Sequence, residues 1–189
     1  MQDISLPFLI IVRGIPGSGK SRITDGLVQA LASYPVVVLD PDAINYDSAA
    51  YRRHVVTQLA EGVQPALHAY RYLRAQAYEA IDAHQVIIWS QPFTNLEIFN
   101  KMIERLRVRA KERAVELPIL VVEVQIDQAL AKQRVVERLQ AGGHGPSSGT
   151  LQVRFNEYES FHDKGYNTVA VQGTDDVAVS VQAVLNKLK

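Results

Sequence analysis

The segment from Gly14 to Ser21 constrains this chain more than any other stretch of its sequence. It reads G-I-P-G-S-G-K-S, a full match to the pattern G-x-x-x-x-G-K-[ST] of the phosphate-binding P-loop. In such a loop the glycines let backbone N–H groups turn towards phosphate oxygens. Lys20 supplies a cation for the β- and γ-phosphates, and the Ser21 hydroxyl can ligate Mg²⁺. The alternative is a glycine-rich turn that binds nothing.

The flanking sequence favours phosphate binding, because a P-loop needs a strand before it and a helix after it. Residues 7–12 form a continuous apolar run, as expected of a parallel strand that is buried on both faces. Ile23, Leu27, Ala30 and Leu31 then recur at helical spacing. A phosphate would lie at the N-terminus of this helix, where the dipole favours anions. The predicted nucleotide-binding residues are Gly14, Ile15, Pro16, Gly17, Ser18, Gly19, Lys20 and Ser21.

The rest of the chain alternates apolar, strand-like runs with longer helical segments. Further strands are predicted at residues 35–39, 85–89, 118–124 and 167–171. One helix is predicted from about Thr94. The last helix is predicted with Thr174 as its N-cap and with Asp175 and Asp176 in its first turn. This alternation predicts an α/β fold with a five-stranded, mainly parallel sheet between two helical layers.

Composition supports one domain over residues 1–189 and excludes several kinds of site. The 20 basic and 20 acidic residues cancel, so no bulk charge draws the chain to nucleic acid or to an anionic membrane. Because the chain has no cysteine, disulfides, thiolate metal ligands and a cysteine nucleophile are excluded. No apolar stretch has the length of a membrane span, and residues 1–3 do not begin a signal peptide. A soluble cytoplasmic protein is therefore expected.

Two carboxylates follow the second predicted strand, in the sequence Leu39-Asp40-Pro41-Asp42. Ligands of an open parallel sheet bind beyond the carboxyl ends of its strands, which would bring these acids to the mouth of the P-loop. Phosphoryl transfer to an alcohol needs a base for the hydroxyl proton and a metal between the β- and γ-phosphates, and carboxylates suit both tasks. Alternatively, Asp40 only ends the strand and Asp42 caps the next helix.

The P-loop, the D-x-D pair and the segment from Arg134 to Glu159 resemble a group of P-loop small-molecule kinases. The group includes zeta toxins, gluconate kinase-like enzymes and polynucleotide 5′-hydroxyl kinases, and the resemblance spans most of the chain. It implies a P-loop kinase fold with a small helical lid, and ATP and Mg²⁺ as cofactors. It also implies that Asp42 accepts the proton of the attacking hydroxyl and that Asp40 supports the substrate or hydrated Mg²⁺.

The same resemblance implies a lid over about residues 134–155. Arg134 and Arg138 lie one helical turn apart, just before a glycine-rich segment. In similar kinases such arginines clasp the phosphates and stabilise the transferring group. Both are therefore predicted nucleotide contacts, and Arg138 is a predicted catalytic residue. Because this chain has Gly142-Gly143 where such lids often carry another basic residue, Arg138, Arg134 or Arg154 could be the clasping residue. Arg134 and Arg138 could instead be solvated surface charges.

The end of the third predicted strand departs from many P-loop proteins. Where they place an acid that holds Mg²⁺ through water, this chain reads Trp89-Ser90-Gln91-Pro92. This argues against a motor or a GTPase-type protein, and it leaves Mg²⁺ to Ser21, to the nucleotide and, as an option, to Asp40. Ser90 and Gln91 could hydrogen-bond the substrate or could simply form a turn before Pro92.

The segment between the second and third strands is where similar kinases recognise the acceptor, and it is rich in Tyr and Arg. Its candidate residues are Tyr46, Tyr51, Arg52, Arg53, His54, His68, Tyr70, Arg71, Tyr72 and Arg74. They could hold an anionic or sugar-like acceptor through charge-assisted hydrogen bonds and ring contacts. They could equally form the polar face of two surface helices. The predicted substrate contacts are Asp40, Asp42 and Arg52.

Together these features predict an ATP-dependent phosphotransferase that moves the γ-phosphoryl group to a hydroxyl of a small molecule. Lys20 would hold the β- and γ-phosphates, Asp42 would take the proton and Arg138 would clasp the transferring group. Two alternatives stay open: a nucleotide-binding switch without kinase activity, and a zeta-toxin-like kinase of nucleotide sugars. The absence of net charge disfavours a nucleic-acid partner.

Overall fold

In the computed structural model of the protein, the described residues, 5–143 and 145–188, contain one sheet of five parallel strands. The strands are β1 (Phe8–Arg13), β2 (Val36–Leu39), β3 (Val86–Ser90), β4 (Ile119–Gln125) and β5 (Asn167–Gln172). Their order is β2-β3-β1-β4-β5, which makes β1 the central strand. Residues 1–3, for which the absence of a signal peptide is expected, lie outside the described residues.

The helices of the described residues cover both faces of this sheet. They are α1 (Lys20–Ala30), α2 (Ala49–Ala60), α3 (His68–Asp82), α4 (Leu96–Glu112), α5 (Gln128–Gln140), α6 (Ser148–Glu157) and α7 (Val177–Lys187). On one face α1 and α7 pack on Ile10 and Val12, and on the other α3 and α4 pack on Leu9 and Ile11. Successive side chains of a strand point to opposite faces, so the apolar run in β1 supplies both cores. The predicted three-layer α/β fold is confirmed.

The predicted N-cap of the last helix is wrong. The cap of α7 is Asp176, whose side chain accepts the N–H of Ala178 at 2.7 Å, and not Thr174. The physical reason is a turn that comes first, in which the N–H of Asp175 donates to the carbonyl oxygen of Gln172 at 3.2 Å. The helix can therefore begin only after this turn has closed.

Two smaller expectations also need correction. Helix α4 begins at Leu96 rather than near Thr94, because the side chain of Asn95 accepts the N–H of Ile98 at 2.9 Å and caps the helix there. Ala30 is exposed, although its spacing predicts a place on the inward face of α1. It is the last residue of that helix, and Leu31 fills the core at that end.

The parallel sheet brings the segments that follow its strands to a common edge. The P-loop follows β1, Asp40 follows β2, Gln91 follows β3 and Gly173 follows β5. Among the residues that the structure describes, no helix combines the length and the apolar character needed to cross a membrane.

Candidate functional site

The P-loop depends on glycines with positive φ angles and, at Gly17, on close packing that leaves no room for a side chain. Gly17 and Gly19 have positive φ angles of 84° and 98°, a region that glycine adopts without strain. A Cβ on Gly17 would lie 2.4 Å from the carbonyl oxygen of Ala131 in α5, so the loop is packed against that helix. Helix α1 begins at Lys20 without a side-chain cap, which leaves its first N–H groups able to bind an anion.

The side chain of Lys20 hydrogen-bonds to the backbone of the P-loop. Its Nζ donates to the carbonyl oxygens of Gly14 at 3.0 Å and Ile15 at 3.2 Å. Burial lowers the pKa of Lys20 to about 8, and Arg138 acts in the same direction, while the two carboxylates after β2 oppose the shift. Lys20 is therefore still cationic at neutral pH, as a phosphate ligand must be.

Most of the predicted donor and acceptor residues line one cavity of about 750 Å³ at the carboxyl edge of the sheet, and Gly14, Ile15, Ser18 and Arg52 are not part of its lining. One wall is the P-loop with Lys20 and Ser21, and another holds Asp40 and Asp42. Three arginines of the predicted lid, Arg134, Arg138 and Arg154, line further parts of the wall. A cavity of this volume is in the range of small-molecule sites.

The two acids after β2 have different local roles. Asp40 caps a short 3-10 helix, Pro41–Ala43, and its Oδ1 accepts the N–H of Asp42 at 2.9 Å. The alternative in which Asp42 is the helix cap is therefore wrong, because the carboxylate of Asp40 takes that position. Asp42 is exposed at the cavity wall, where a carboxylate can reach a bound hydroxyl compound.

The lid arginines differ in what they contact. The Nη1 of Arg134 donates to the carbonyl oxygen of Gly173 at 3.1 Å and lies 3.5 Å from that of Gly17. Arg134 thus joins the P-loop to the segment after β5. Arg138, one turn further along α5, is exposed at the cavity wall. Arg154 on α6 is half-buried, with its Nη1 at 3.5 Å from the hydroxyl of Thr94.

Arg52 lies away from the cavity. It is exposed on α2, and its Nη2 donates to Asp47 Oδ1 at 2.7 Å. Tyr70 on α3 is the member of the Tyr- and Arg-rich set that lines the cavity. Tyr51 instead packs edge-on against Tyr46 and Tyr72, with ring centroids 5.0 and 5.2 Å apart. A substrate contact of Arg52 stays a prediction.

Oxygen and amide groups follow β3 at the cavity wall. Ser90 and Gln91 both line the cavity, and Gln91 Oε1 accepts the indole N–H of Trp89 at 3.2 Å. Among the described residues, no group of three or more His, Cys, Asp or Glu side chains could hold a metal ion. The hydroxyl of Ser21 lies beside Lys20 in the cavity. A hydroxyl oxygen suits Mg²⁺, which usually takes one or two protein ligands and completes its shell with phosphates and water.

The structure contains a buried ion pair behind the P-loop that the sequence analysis did not predict. Arg13 precedes the loop directly, is fully buried and pairs with Glu123 on β4. Its Nη2 donates to the carbonyl oxygens of Phe93 at 3.0 Å and Glu159 at 2.8 Å. The guanidinium also lies 3.5 Å from the ring centroid of Phe161. The signal in the sequence is a single charged residue in each of two largely apolar strands, Arg13 in β1 and Glu123 in β4.

Comparison with known proteins adds a family and a set of solved structures. A family model described as an AAA domain matches residues 9–154. No curated protein matches the chain. A gluconokinase from Sinorhizobium meliloti 1021 has 21% identity and a TM-score of 0.58, over 97% of this chain and 93% of that one. A sugar kinase from Janibacter sp. HTCC2649 has 16% identity and a TM-score of 0.61, over 96% and 93%.

A third solved structure holds a nucleotide analogue. It is Kti12 from Chaetomium thermophilum in complex with ADP-AlF3, with 14% identity and a TM-score of 0.60, and the match covers 97% of this chain and 100% of that one. At identities this low, the similarity of these three structures shows a shared fold.

Proposed function

The chain belongs to the AAA domain family and has the fold of the kinase-like P-loop proteins, and from this premise we propose that it is an ATP-dependent phosphotransferase. It moves the γ-phosphoryl group of ATP to a hydroxyl of a small molecule. The observation that carries this proposal is that the P-loop, Asp42 and the three arginines of the predicted lid line the same cavity. A phosphoryl donor and a hydroxyl acceptor have to lie side by side for direct transfer.

The donor half is the P-loop. Its backbone N–H groups and Lys20 bind the β- and γ-phosphates, and the hydroxyl of Ser21 would hold Mg²⁺. When bound, Mg²⁺ offsets negative charge on the phosphates. Arg138 closes on the γ-phosphoryl group and stabilises its charge, while Arg134 keeps the P-loop and the Gly173 segment together.

The acceptor half is the wall that carries Asp42. The acceptor oxygen attacks the γ-phosphorus, the bond to the β–γ bridging oxygen breaks, and ADP leaves. The hydroxyl proton passes to the carboxylate of Asp42. Asp40 caps the 3-10 turn that contains Asp42, so it fixes the position of that base and can also contact the acceptor. Tyr70, Ser90 and Gln91 add polar groups to the same wall.

The whole chain, residues 1–189, is proposed as one kinase domain with a lid over about residues 134–155. This range runs from the middle of α5 into α6, so it contains the three arginines and the segment between the two helices. Closure of such a lid excludes water from the transferring group, which favours transfer to the acceptor over hydrolysis. His144, which belongs to this range, lies outside the described residues.

The experiment is a screen of hydroxyl-bearing metabolites for ADP release together with detection of the phosphorylated product. Lys20→Ala is the blank. Asp42→Asn is expected to lower kcat by about 10²- to 10⁴-fold, the usual contribution of a general base. Asp25→Asn, at an exposed position of α1 outside the cavity, is the matched control and should keep wild-type rates. Bound ATP with no product from any acceptor, and no effect of Asp42→Asn, would favour the nucleotide switch.

A further inference from the structure

The cavity has two sides that follow from the strand order. Arg134 reaches Gly173 after β5, on the β4–β5 side of the P-loop. Arg154 on α6 instead lies 3.5 Å from Thr94, in the segment after β3, on the β2–β3 side. Asp42, which comes from the segment after β2, belongs to this second side. The two arginines therefore flank the P-loop, and Arg154 lies on the side of the proposed base.

Positive charge exceeds negative charge around the cavity. Among the described residues, its lining has the cations Lys20, Arg22, Arg134, Arg138 and Arg154 and the carboxylates Asp40 and Asp42. Lys20 and Arg138 serve the triphosphate, whose charge Mg²⁺ also offsets in part. Arg134 donates to the backbone at Gly173. In this assignment Arg22 and Arg154 are the lining cations that neither bind the triphosphate nor join the P-loop to Gly173.

Arg154 has hydrogen-bonding capacity to spare. A guanidinium carries five N–H donors, and the hydrogen bond to Thr94 is at the long limit of 3.5 Å. Thr150 lies one helical turn before Arg154 and also lines the cavity, so α6 presents a hydroxyl and a guanidinium on one face. A planar guanidinium pairs with two oxygens of a carboxylate or a phosphate.

We propose that the acceptor carries an anionic group, a carboxylate or a phosphate, and that Arg154 binds this group. The inference rests on the proposed kinase function. Pairing the anion with Arg154 holds the acceptor at two points, because its hydroxyl lies at Asp42 while its charge lies at α6. An uncharged acceptor would exclude water from the half-buried guanidinium of Arg154 without pairing its charge. This cost disfavours the binding of uncharged acceptors. The site thus selects against neutral sugars and alcohols.

The test uses pairs of hydroxyl compounds that differ in the anionic group. The pairs are D-gluconate with D-glucitol, D-glycerate with glycerol, and adenosine 3′-monophosphate with adenosine. The first two contain a carboxylate and the third a phosphate, so the panel separates the two sources of charge. Product formation is measured with ATP, and binding of each compound to the ADP-loaded protein is measured by calorimetry.

In the wild-type protein, kcat/KM is expected to be about tenfold or more higher for the charged member of at least one pair. Arg154→Met is expected to lower this value by about 10- to 100-fold, the effect of losing a charge-assisted hydrogen bond. The preference for the charged over the neutral member should fall by a similar factor, which separates the loss of an anion contact from a general loss of activity. Arg154→Lys keeps the charge without the two-point pairing and should lie in between. Arg105→Met, at an exposed position of α4, is the control.

Several outcomes separate this inference from the kinase proposal. Charged compounds that bind through Arg154 without being phosphorylated would support the anion site and contradict the kinase. Equal turnover of the charged and neutral members of every pair, with neither rate changed in Arg154→Met, would support the kinase and overturn the anion site. A raised KM for ATP in Arg154→Met, with acceptor preference unchanged, would assign Arg154 to the donor and also overturn it. So would the absence of Arg154-dependent binding for all charged compounds.

Discussion

The P-loop, which lines the candidate site, and helix α2, which lies outside its lining, are held in place by different means. The P-loop follows the central strand, and a Cβ on Gly17 would lie 2.4 Å from the backbone of α5. Helix α2 buries only Gln58 and exposes Val56 and Leu59 to 67% and 56%. The P-loop is thus preformed by close packing, whereas α2, in the segment predicted to recognise the acceptor, has few buried residues. Regions with few buried contacts open most easily.

The buried pair behind the P-loop provides the largest expected contrast between the two regions. Glu123→Gln removes the countercharge of the fully buried Arg13, so the free energy of unfolding should fall by about 3–5 kcal/mol. Burial already lowers the pKa of Arg13. On the acceptor side, Glu61→Gln breaks a half-exposed pair with Arg71 at 3.3 Å, and the cost should be under about 1 kcal/mol. Urea unfolding measures both. Equal costs would contradict the contrast.

Two glycines with similar backbone angles allow a second test. Gly17 and Gly62 have φ angles of 84° and 72°, but a Cβ on Gly62 has nothing within 4 Å. Gly17→Ala adds a collision with α5 to a backbone strain of about 1–3 kcal/mol, so affinity for ATP should fall by about tenfold or more. Gly62→Ala should destabilise the protein modestly and leave ATP affinity unchanged. A loss of ATP affinity in both variants would show that the P-loop is not specially constrained.

The pH dependence of binding should distinguish the donor from the acceptor. Because the pKa of Lys20 is lowered to about 8, its cation is fully present below about pH 7 and is lost as pH rises through 8. ATP affinity should therefore fall above pH 8, by at most about tenfold per pH unit for one linked proton. Calorimetry between pH 6.5 and about 9.5 would measure it. The fall should be absent in Lys20→Met and should not affect binding of the acceptor alone.

The smallest expected effect tests the one predicted substrate contact that lies outside the cavity. Arg52 is exposed and paired with Asp47, so Arg52→Ala should change the acceptor KM by about threefold or less, as expected of a surface pair. Steady-state kinetics with the acceptor from the screen would measure this. A tenfold or larger rise would mean that α2 moves towards the acceptor during the reaction, and would bring Arg52 back into the site.

Local sequence patterns predicted the structure correctly where it depends on residues that are neighbours in the chain. The P-loop octapeptide, the apolar strands and the D-x-D pair can each be recognised from a few consecutive residues. In the structure the P-loop and the D-x-D pair lie at the same edge of the sheet. The wrong or untested predictions depend on contacts between distant residues or on competition between neighbouring residues for the same role. Asp176 and not Thr174 caps α7, because a turn between Gln172 and Asp175 comes before the helix. Arg52 could not be separated from Tyr70 by composition, since both belong to the same polar set on consecutive helices.

The sequence by itself determined the alternation of strands and helices and the phosphate-binding loop. Both depend on periodicity and on short motifs whose residues are neighbours in the chain. Only the tertiary structure decided which charges act together. Arg13 and Glu123 are 110 positions apart and pair because β1 and β4 are adjacent. Arg134 and Arg154 lie on opposite sides of the P-loop because strand order, which no local pattern encodes, places Gly173 and Thr94 there.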